Sequence, residues 1–579
     1  MTAQRNPFEY MGANDLPYEM ILDYYIEDFN YSRFIQSKRN VILTGERGCG
    51  KSMTLLYNSW ALQQLKGTRD NSSPALGLIG VYVPCNTPLT HKEEYQLLDK
   101  FQAALISEHH LVLSITYRIA ETLAQIPGVL DEANEDQVRS KMAFIFGAEL
   151  LRDVPFFDAI KAFVEKESIR TQRVINDPDS AQINYEDTFT FASLVVPVLG
   201  CAKSLPKLKD SHFMLMIDDA HDLNQHQVKA LNSWIAYRDH SLFSFKVAVA
   251  NVARTSLKTS SGGSILEGHD YTRLDMAQPF QNEASDFGRL AKQLVERRLR
   301  KFGIDATPED FFPISDRLRQ DMEKAEEEIR REAVAKYGDD SRKVSDYVYK
   351  YKRAHYFRSR PAKANRPEYS GFDTLVYLST GVIRNILQPC YWMYDKVLSL
   401  STDNAASPVV NSIPPHVQSD IIIERSRVLW DWLRNELDQN IEDCSREDGV
   451  RAYQLLDNLA VHFRERLLNH KSEPRANSFT ISSRNRDLMD KLERLFRILQ
   501  QAQLLYIRSG AAKDKGKRES YYVPNRMLWP ERGLDPHGQH ARVSLTAAEL
   551  WAAADENRSI PLREESPTPR AEQKGFFDE

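Results

Sequence analysis

Residues 45–52 read Gly-Glu-Arg-Gly-Cys-Gly-Lys-Ser, and no other feature of the chain narrows its fold as much. The pattern GxxxxGK[ST] needs glycine backbone that can wrap an anion closely. It also needs a lysine that reaches the β- and γ-phosphates and a hydroxyl for Mg²⁺. Such a loop works between a buried strand and a helix. Val41-Ile42-Leu43-Thr44 is a short apolar run of the kind a buried parallel strand shows, and residues 53–65, opening on Met53, carry helical periodicity. The helix N-terminus would then face the anion. Gly45, Gly48, Gly50, Lys51, Ser52 and Met53 are the expected nucleotide-binding residues. ATP and Mg²⁺ are the expected cofactors.

Three further apolar runs, residues 78–83, 213–217 and 245–250, alternate with helical stretches. Strands alternating with helices predict a parallel α/β sheet with its site at the strands' carboxyl ends. The run 213–217 ends in Asp218-Asp219. Asp218 stands where a carboxylate holds Mg²⁺, and Asp219 where one orients or activates the attacking water. The alternative is that the pair caps the next helix. A glutamate is usual at the second position. The shorter Asp219 reaches the water less well, and near-attack geometry tolerates little misplacement, so slow hydrolysis is expected.

At 579 residues the chain exceeds one ordinary domain, and 42% hydrophobic content allows a sizeable core. A net charge of −5 excludes a global basic field, so any nucleic-acid surface must be a local patch. No apolar run approaches the roughly 18 residues of a membrane span. The first residues lack the apolar core of a secretory signal. Cys49, Cys85, Cys201, Cys390 and Cys444 lie far apart, with neither a metal spacing nor a disulfide framework. A cytoplasmic protein without a membrane partner is the expectation. Composition shifts suggest an arm at 1–40, a nucleotide-binding core at 41–282 and a helical lid at 283–400 with a charged, exposed insertion at about 315–366. A Ser/Asn/Pro-rich linker, a separate domain at 416–550 and a disordered tail at 551–579 follow.

The order of the glycine loop, Asp218-Asp219, Val249-Ala250-Asn251 and then Ser379-Thr380-Gly381-Val382-Ile383-Arg384 resembles AAA+ ATPases. Within them it looks most like the origin-recognition/Cdc6 initiator branch. The resemblance implies a parallel-sheet P-loop core, a helical lid and a C-terminal winged-helix-like domain. It implies that Asn251 is the polar sensor ending the fourth strand and Arg384 the sensor on a lid helix. It also implies an arginine that completes the site of a neighbouring subunit, for which Arg254 and Arg273 are candidates; a surface salt bridge is the alternative for each. Residues 487–501 would form an amphipathic helix with Leu488, Leu492, Leu495 and Leu499 inward and Arg486, Lys491, Arg494 and Arg497 on other faces. Strands at 504–508 and 520–523 would flank a basic wing carrying Lys513, Lys515, Lys517 and Arg518. Arg494 and these four are the expected nucleic-acid contacts, on double-stranded DNA. Asp219, the long segment between strands two and three and the charged insertion depart from the family pattern. Bacterial relatives of the branch look like accessory ATPases of mobile-element or phage-defence systems, an analogy of fold and family.

Residues 347–360 are basic and aromatic, a composition that suits either a nucleic-acid surface or a helix with aromatics packed inward. His221 and His226 have no further ligand nearby and read as helix-surface residues. Ser264 and His269 lack a nucleophile-elbow motif. Three functions remain: an oligomeric ATPase acting at DNA with a partner protein, a nucleotide-driven oligomerisation switch that activates a separate effector, or a scaffold that binds ATP without turnover.

Overall fold

The computed structural model describes residues 5–27, 31–85, 98–176, 188–237, 241–250, 256–276, 286–360, 367–401, 410–469, 476–483, 485–511, 518–538 and 541–562. Asn251, Arg254, Lys513, Lys515 and Lys517 lie outside them, as does the side chain of Arg518. The chain forms two compact units, residues 12–277 and residues 1–11 with 278–579.

In the first unit five strands form one sheet: β1 (Val41–Gly45), β2 (Leu78–Pro84), β3 (His212–Asp218), β4 (Phe243–Ala250) and β5 (Thr272–Asp275), in the order β2-β3-β4-β1-β5. Every pairing is parallel. Parallel sheets are covered on both faces, which is why these strands read as continuous apolar runs. One face, including Ile42, Val81, Leu215 and Val247, packs with helices Lys100–Ala124 and Gln225–Ile235. The other, including Val41, Leu43, Met214 and Ala248, packs with Leu55 of the helix after the loop and Ile35 of the preceding segment. Lys246, buried on β4, donates to the carbonyls of Ser37 and Arg39 and ties that segment to the sheet.

The single helix expected at 53–65 is two helices, Lys51–Tyr57 and Trp60–Arg69. The Ser59 hydroxyl caps the second by accepting from the Leu62 N–H. At the break β2 comes so close that a Cβ on Gly80 would lie 2.2 Å from the Asn58 carbonyl oxygen. Only glycine admits that approach.

In the second unit the charged insertion is a helical hairpin, Asp316–Tyr337 and Ser341–Ser359. It is less exposed than its charge suggests. Leu318, Ala325, Ala354, Tyr356 and Phe357 belong to the same core as Trp430, Leu455, Leu499 and Leu550. Arg353 makes a forked pair with Asp535, whose side chain is 1% exposed. Burial alone would lift the Asp535 carboxyl; the charges of Arg353 and His537 instead hold it far below the usual carboxylate range. Within the basic-aromatic run 347–360, Val348, Ala354, Tyr356 and Phe357 are buried, so part of it serves internal packing.

The C-terminal region runs helix Arg446–Leu468, β6 (Ser478–Ser483), helix Arg486–Gln501, β7 (Leu505–Ala511) and β8 (Arg518–Pro524). β7 and β8 form the antiparallel hairpin of a wing. Leu492, Leu495 and Leu499 are buried as expected, with Leu488 half-buried. A fourth strand, β9 (Arg542–Thr546), pairs parallel with β6, giving the order β7-β8-β6-β9. The last helix, Ala547–Asp555, buries Ala553 and Ala554, and Ile560 is buried beyond it. Order therefore continues past residue 551, where a disordered tail was expected, because these side chains complete the core. The domain expected at 416–550 does not stand apart either, and residues 402–409 of the linker expected at 399–415 lie outside the described residues. Helix Pro415–Asn435 packs on both Ile383–Ser401 and Arg446–Leu468.

Candidate functional site

Gly45 ends β1, and Gly48 (φ 84°) and Gly50 (φ 102°) hold the left-handed backbone that lets the loop turn into helix Lys51–Tyr57. Lys51 is 5% exposed, and its Nζ donates to the carbonyls of Gly45 (3.0 Å) and Glu46 (2.9 Å). The ammonium therefore sits inside the loop that carries it. Ser52 and Met53 follow in the first turn of the helix.

Asp218 ends β3, two strands away from β1, and is 1% exposed. Its Oδ2 accepts from the Tyr82 hydroxyl at 2.7 Å and its Oδ1 from the Asp219 N–H at 3.0 Å. The Ser52 hydroxyl is near enough to the same carboxylate to help hold its pKa down. Loop and acidic strand thus approach each other at Ser52 and Asp218. Burial, and after it the charge of Asp219, pushes the Asp218 carboxyl up to about 6. A buried carboxylate paired with one hydroxyl and an amide, with the Ser52 hydroxyl near it and no basic side chain among its described partners, fits a bound cation. Magnesium would be held by the Asp218 carboxylate and the Ser52 hydroxyl.

Asp219 adopts the left-handed conformation (φ 53°, ψ 39°), which aspartate tolerates better than most residues. Its side chain is 30% exposed. It opens the short turn Ala220–Asp222, where His221 departs from the surface role expected of it. The His221 side chain is 9% exposed, and its Nε2 lies 3.3 Å from Arg47 Nη2 of the glycine loop. Burial lowers its pKa against the pull of Asp222 and Asp219.

β4 ends at Ala250, paired with Gly45, so the chain leaves the sheet beside the glycine loop just before Asn251. Arg273, on β5, is exposed and donates from Nε to the Thr44 hydroxyl at 3.2 Å. In the second unit Arg384 lies in the first turn of helix Ile383–Ser401. The residues on either side of it are fastened to the C-terminal region. Thr380 Oγ1 accepts from the Arg526 N–H (3.1 Å), and Asn385 donates to the Tyr506 hydroxyl (3.1 Å). Arg486, Lys491, Arg494 and Arg497 are exposed on helix Arg486–Gln501. Arg494 pairs with Asp448 at 2.8 Å, and Lys491 lies over the Trp551 ring.

Tyr82, Arg47 and His221 enter the site unannounced by sequence. Tyr82 was one of several apolar residues in a strand, and only the β2–β3 pairing brings it to Asp218.

A glycine loop at the end of an inner parallel strand, with a buried aspartate two strands away, defines a P-loop nucleotide-binding fold of the AAA+ class. A family model narrows this: ORC-CDC6-like matches residues 6–337 and 314–545, and the chain belongs to that family. No curated protein matches it. Among solved structures it is similar to the Orc1 protein of Aeropyrum pernix in complex with DNA, with 10% identity over 91% of this chain and 96% of that one. The TM-score is 0.28, a likeness too loose to bear on the site. Among the described residues no helix is long and apolar enough to cross a membrane.

Proposed function

We propose that the chain is a Mg²⁺-dependent, slowly hydrolysing ATPase that oligomerises through its nucleotide sites and acts at double-stranded DNA with a partner protein. The observation that carries this is the meeting of Ser52 and Asp218 beside the buried Lys51. Backbone of Gly45, Gly48 and Gly50 would surround the phosphates. Lys51 would leave its two carbonyls for the β- and γ-oxygens, and Ser52 and Asp218 would hold the metal. Magnesium bound there neutralises charge building on the phosphate oxygens. Asp219 would orient the attacking water, with Asn251 and Arg384 as polar sensors and Arg273 reaching a neighbouring site. The short, partly exposed Asp219 side chain supports slow turnover.

The DNA surface in this reading is helix Arg486–Gln501 with the wing residues Lys513, Lys515, Lys517 and Arg518. Arg494, already paired with Asp448, would contribute less than Lys491 or Arg497. Turnover measured across protein concentration, with and without duplex DNA, tests the proposal. Stimulation by both supports it. Slow turnover favours one other reading, a switch that assembles on ATP and activates a separate effector; ATP-driven assembly indifferent to DNA would select it.

A further inference from the structure

Tyr82 places its hydroxyl between two acceptors. Asp218 Oδ2 is 2.7 Å away and Asn14 Oδ1 is 3.2 Å away. A phenol has one hydrogen to give. The nearer, charged acceptor takes it, because hydrogen bonds to ionised groups are shorter and roughly twice as strong. Tyr82 lies on β2 opposite Met216, two rungs before the pairing of Pro84 with Asp218. The strand pairing fixes its ring, so the hydroxyl fixes the carboxylate. Asn14 belongs to the turn Ala13–Asp15, which packs on helix Lys51–Tyr57. The hydroxyl therefore lies between the aspartate and the segment packed on the helix that carries Ser52, able to give its hydrogen to one of the two at a time.

The geometry leads further than the family motifs do. We propose that Tyr82 is a positioning residue for the Asp218 carboxylate, holding it in the rotamer that meets the Ser52 hydroxyl, with Asn14 as the acceptor that takes the phenol hydrogen when Asp218 lets it go. This rests on the Mg²⁺-nucleotide reading above. Outer partners that orient a metal's ligands typically matter by 10–100-fold in metal affinity. Tyr82→Phe removes the hydroxyl and keeps the ring.

The test uses the full chain and a fluorescent ATP analogue, titrated with MgCl₂ at fixed nucleotide and, separately, titrated with nucleotide in EDTA. For Tyr82→Phe the half-saturating Mg²⁺ concentration should rise about tenfold, while affinity in EDTA stays within about twofold. Asp218→Asn should raise the Mg²⁺ requirement at least as much, and adding Tyr82→Phe to it should change nothing more, because the two act through one carboxylate. Asn14→Ala should leave the Mg²⁺ requirement at or below that of wild type. An unchanged Mg²⁺ requirement in Tyr82→Phe, beside a raised one in Asp218→Asn, overturns the role of Tyr82. Equal losses with and without Mg²⁺ in Tyr82→Phe also overturn it, since they mark a general packing defect. A rise in Asn14→Ala equal to that in Tyr82→Phe puts the working hydrogen on Asn14 and overturns it too. If Asp218→Asn itself leaves the Mg²⁺ requirement unchanged, the metal reading fails, and this inference with it.

Discussion

Replacing Asp218 by asparagine should make the protein more stable and less functional at once. The carboxyl is displaced from 3.8 to about 6 by burial and by Asp219. At about 1.36 kcal/mol per unit, a charge carried there at pH 7 costs the folded state about 3 kcal/mol. Asparagine keeps the shape and removes the charge. One oxygen still accepts the Asp219 N–H, and the new amide can donate to the Tyr82 oxygen while that hydroxyl turns to Asn14. Little hydrogen bonding is lost, so roughly 1–3 kcal/mol of gain remains. For a unit of this size that is a melting rise of roughly 5 °C. Thermal unfolding in EDTA at several pH values is the assay. The folded pKa lies above the unfolded one. The protonated carboxyl therefore contributes stability that is whole below about pH 4 and lost as pH rises through about 6. The advantage of Asp218→Asn should be full at pH 7, roughly half at pH 5 and near zero at pH 4. Mg²⁺ with ATP should then reverse the order by stabilising wild type more than the variant. A variant that melts below wild type at pH 7 in EDTA, or gains equally at pH 5 and pH 7, refutes the reasoning.

Other substitutions separate the remaining roles. Asp219→Glu should raise the single-turnover hydrolysis rate several-fold, since the longer side chain recovers reach; no gain counts against slow turnover having this cause. Lys515→Glu with Lys517→Glu should weaken duplex binding and flatten the dependence of log affinity on log salt by about two, whereas an unchanged slope would remove the wing from the DNA surface. Arg353→Leu should destabilise the second unit by about 3 kcal/mol in denaturant unfolding, because it leaves Asp535 buried without its main partner, and Asp535→Asn should restore much of that loss. Its folded fraction should bind DNA like wild type; a selective loss of DNA affinity would return residues 347–360 to the nucleic-acid surface.

Much of the nucleotide site was legible in the chain itself. The glycine loop, its strand and the acidic end of β3 are local patterns: each needs only a short run of apolar residues followed by the residues that do the chemistry. Helix Arg486–Gln501 and the wing hairpin were legible for the same reason, one through its helical period and the other through two strands close in sequence. What the tertiary structure alone decided lies between distant segments. The parallel partner of β6 is β9, more than fifty residues later, and no local period announces it. Nothing local in the sequence couples Arg353 to Asp535, which the fold buries against each other. The break after Tyr57 is invisible in helical periodicity because it comes from β2, whose Gly80 admits the close approach. Tyr82 shows the division most clearly. Sequence placed Asp218 at the metal position, but which hydroxyl holds it depends on the strand lying beside β3. That pairing is set by burying both faces of the sheet, a long-range requirement that no window of sequence contains.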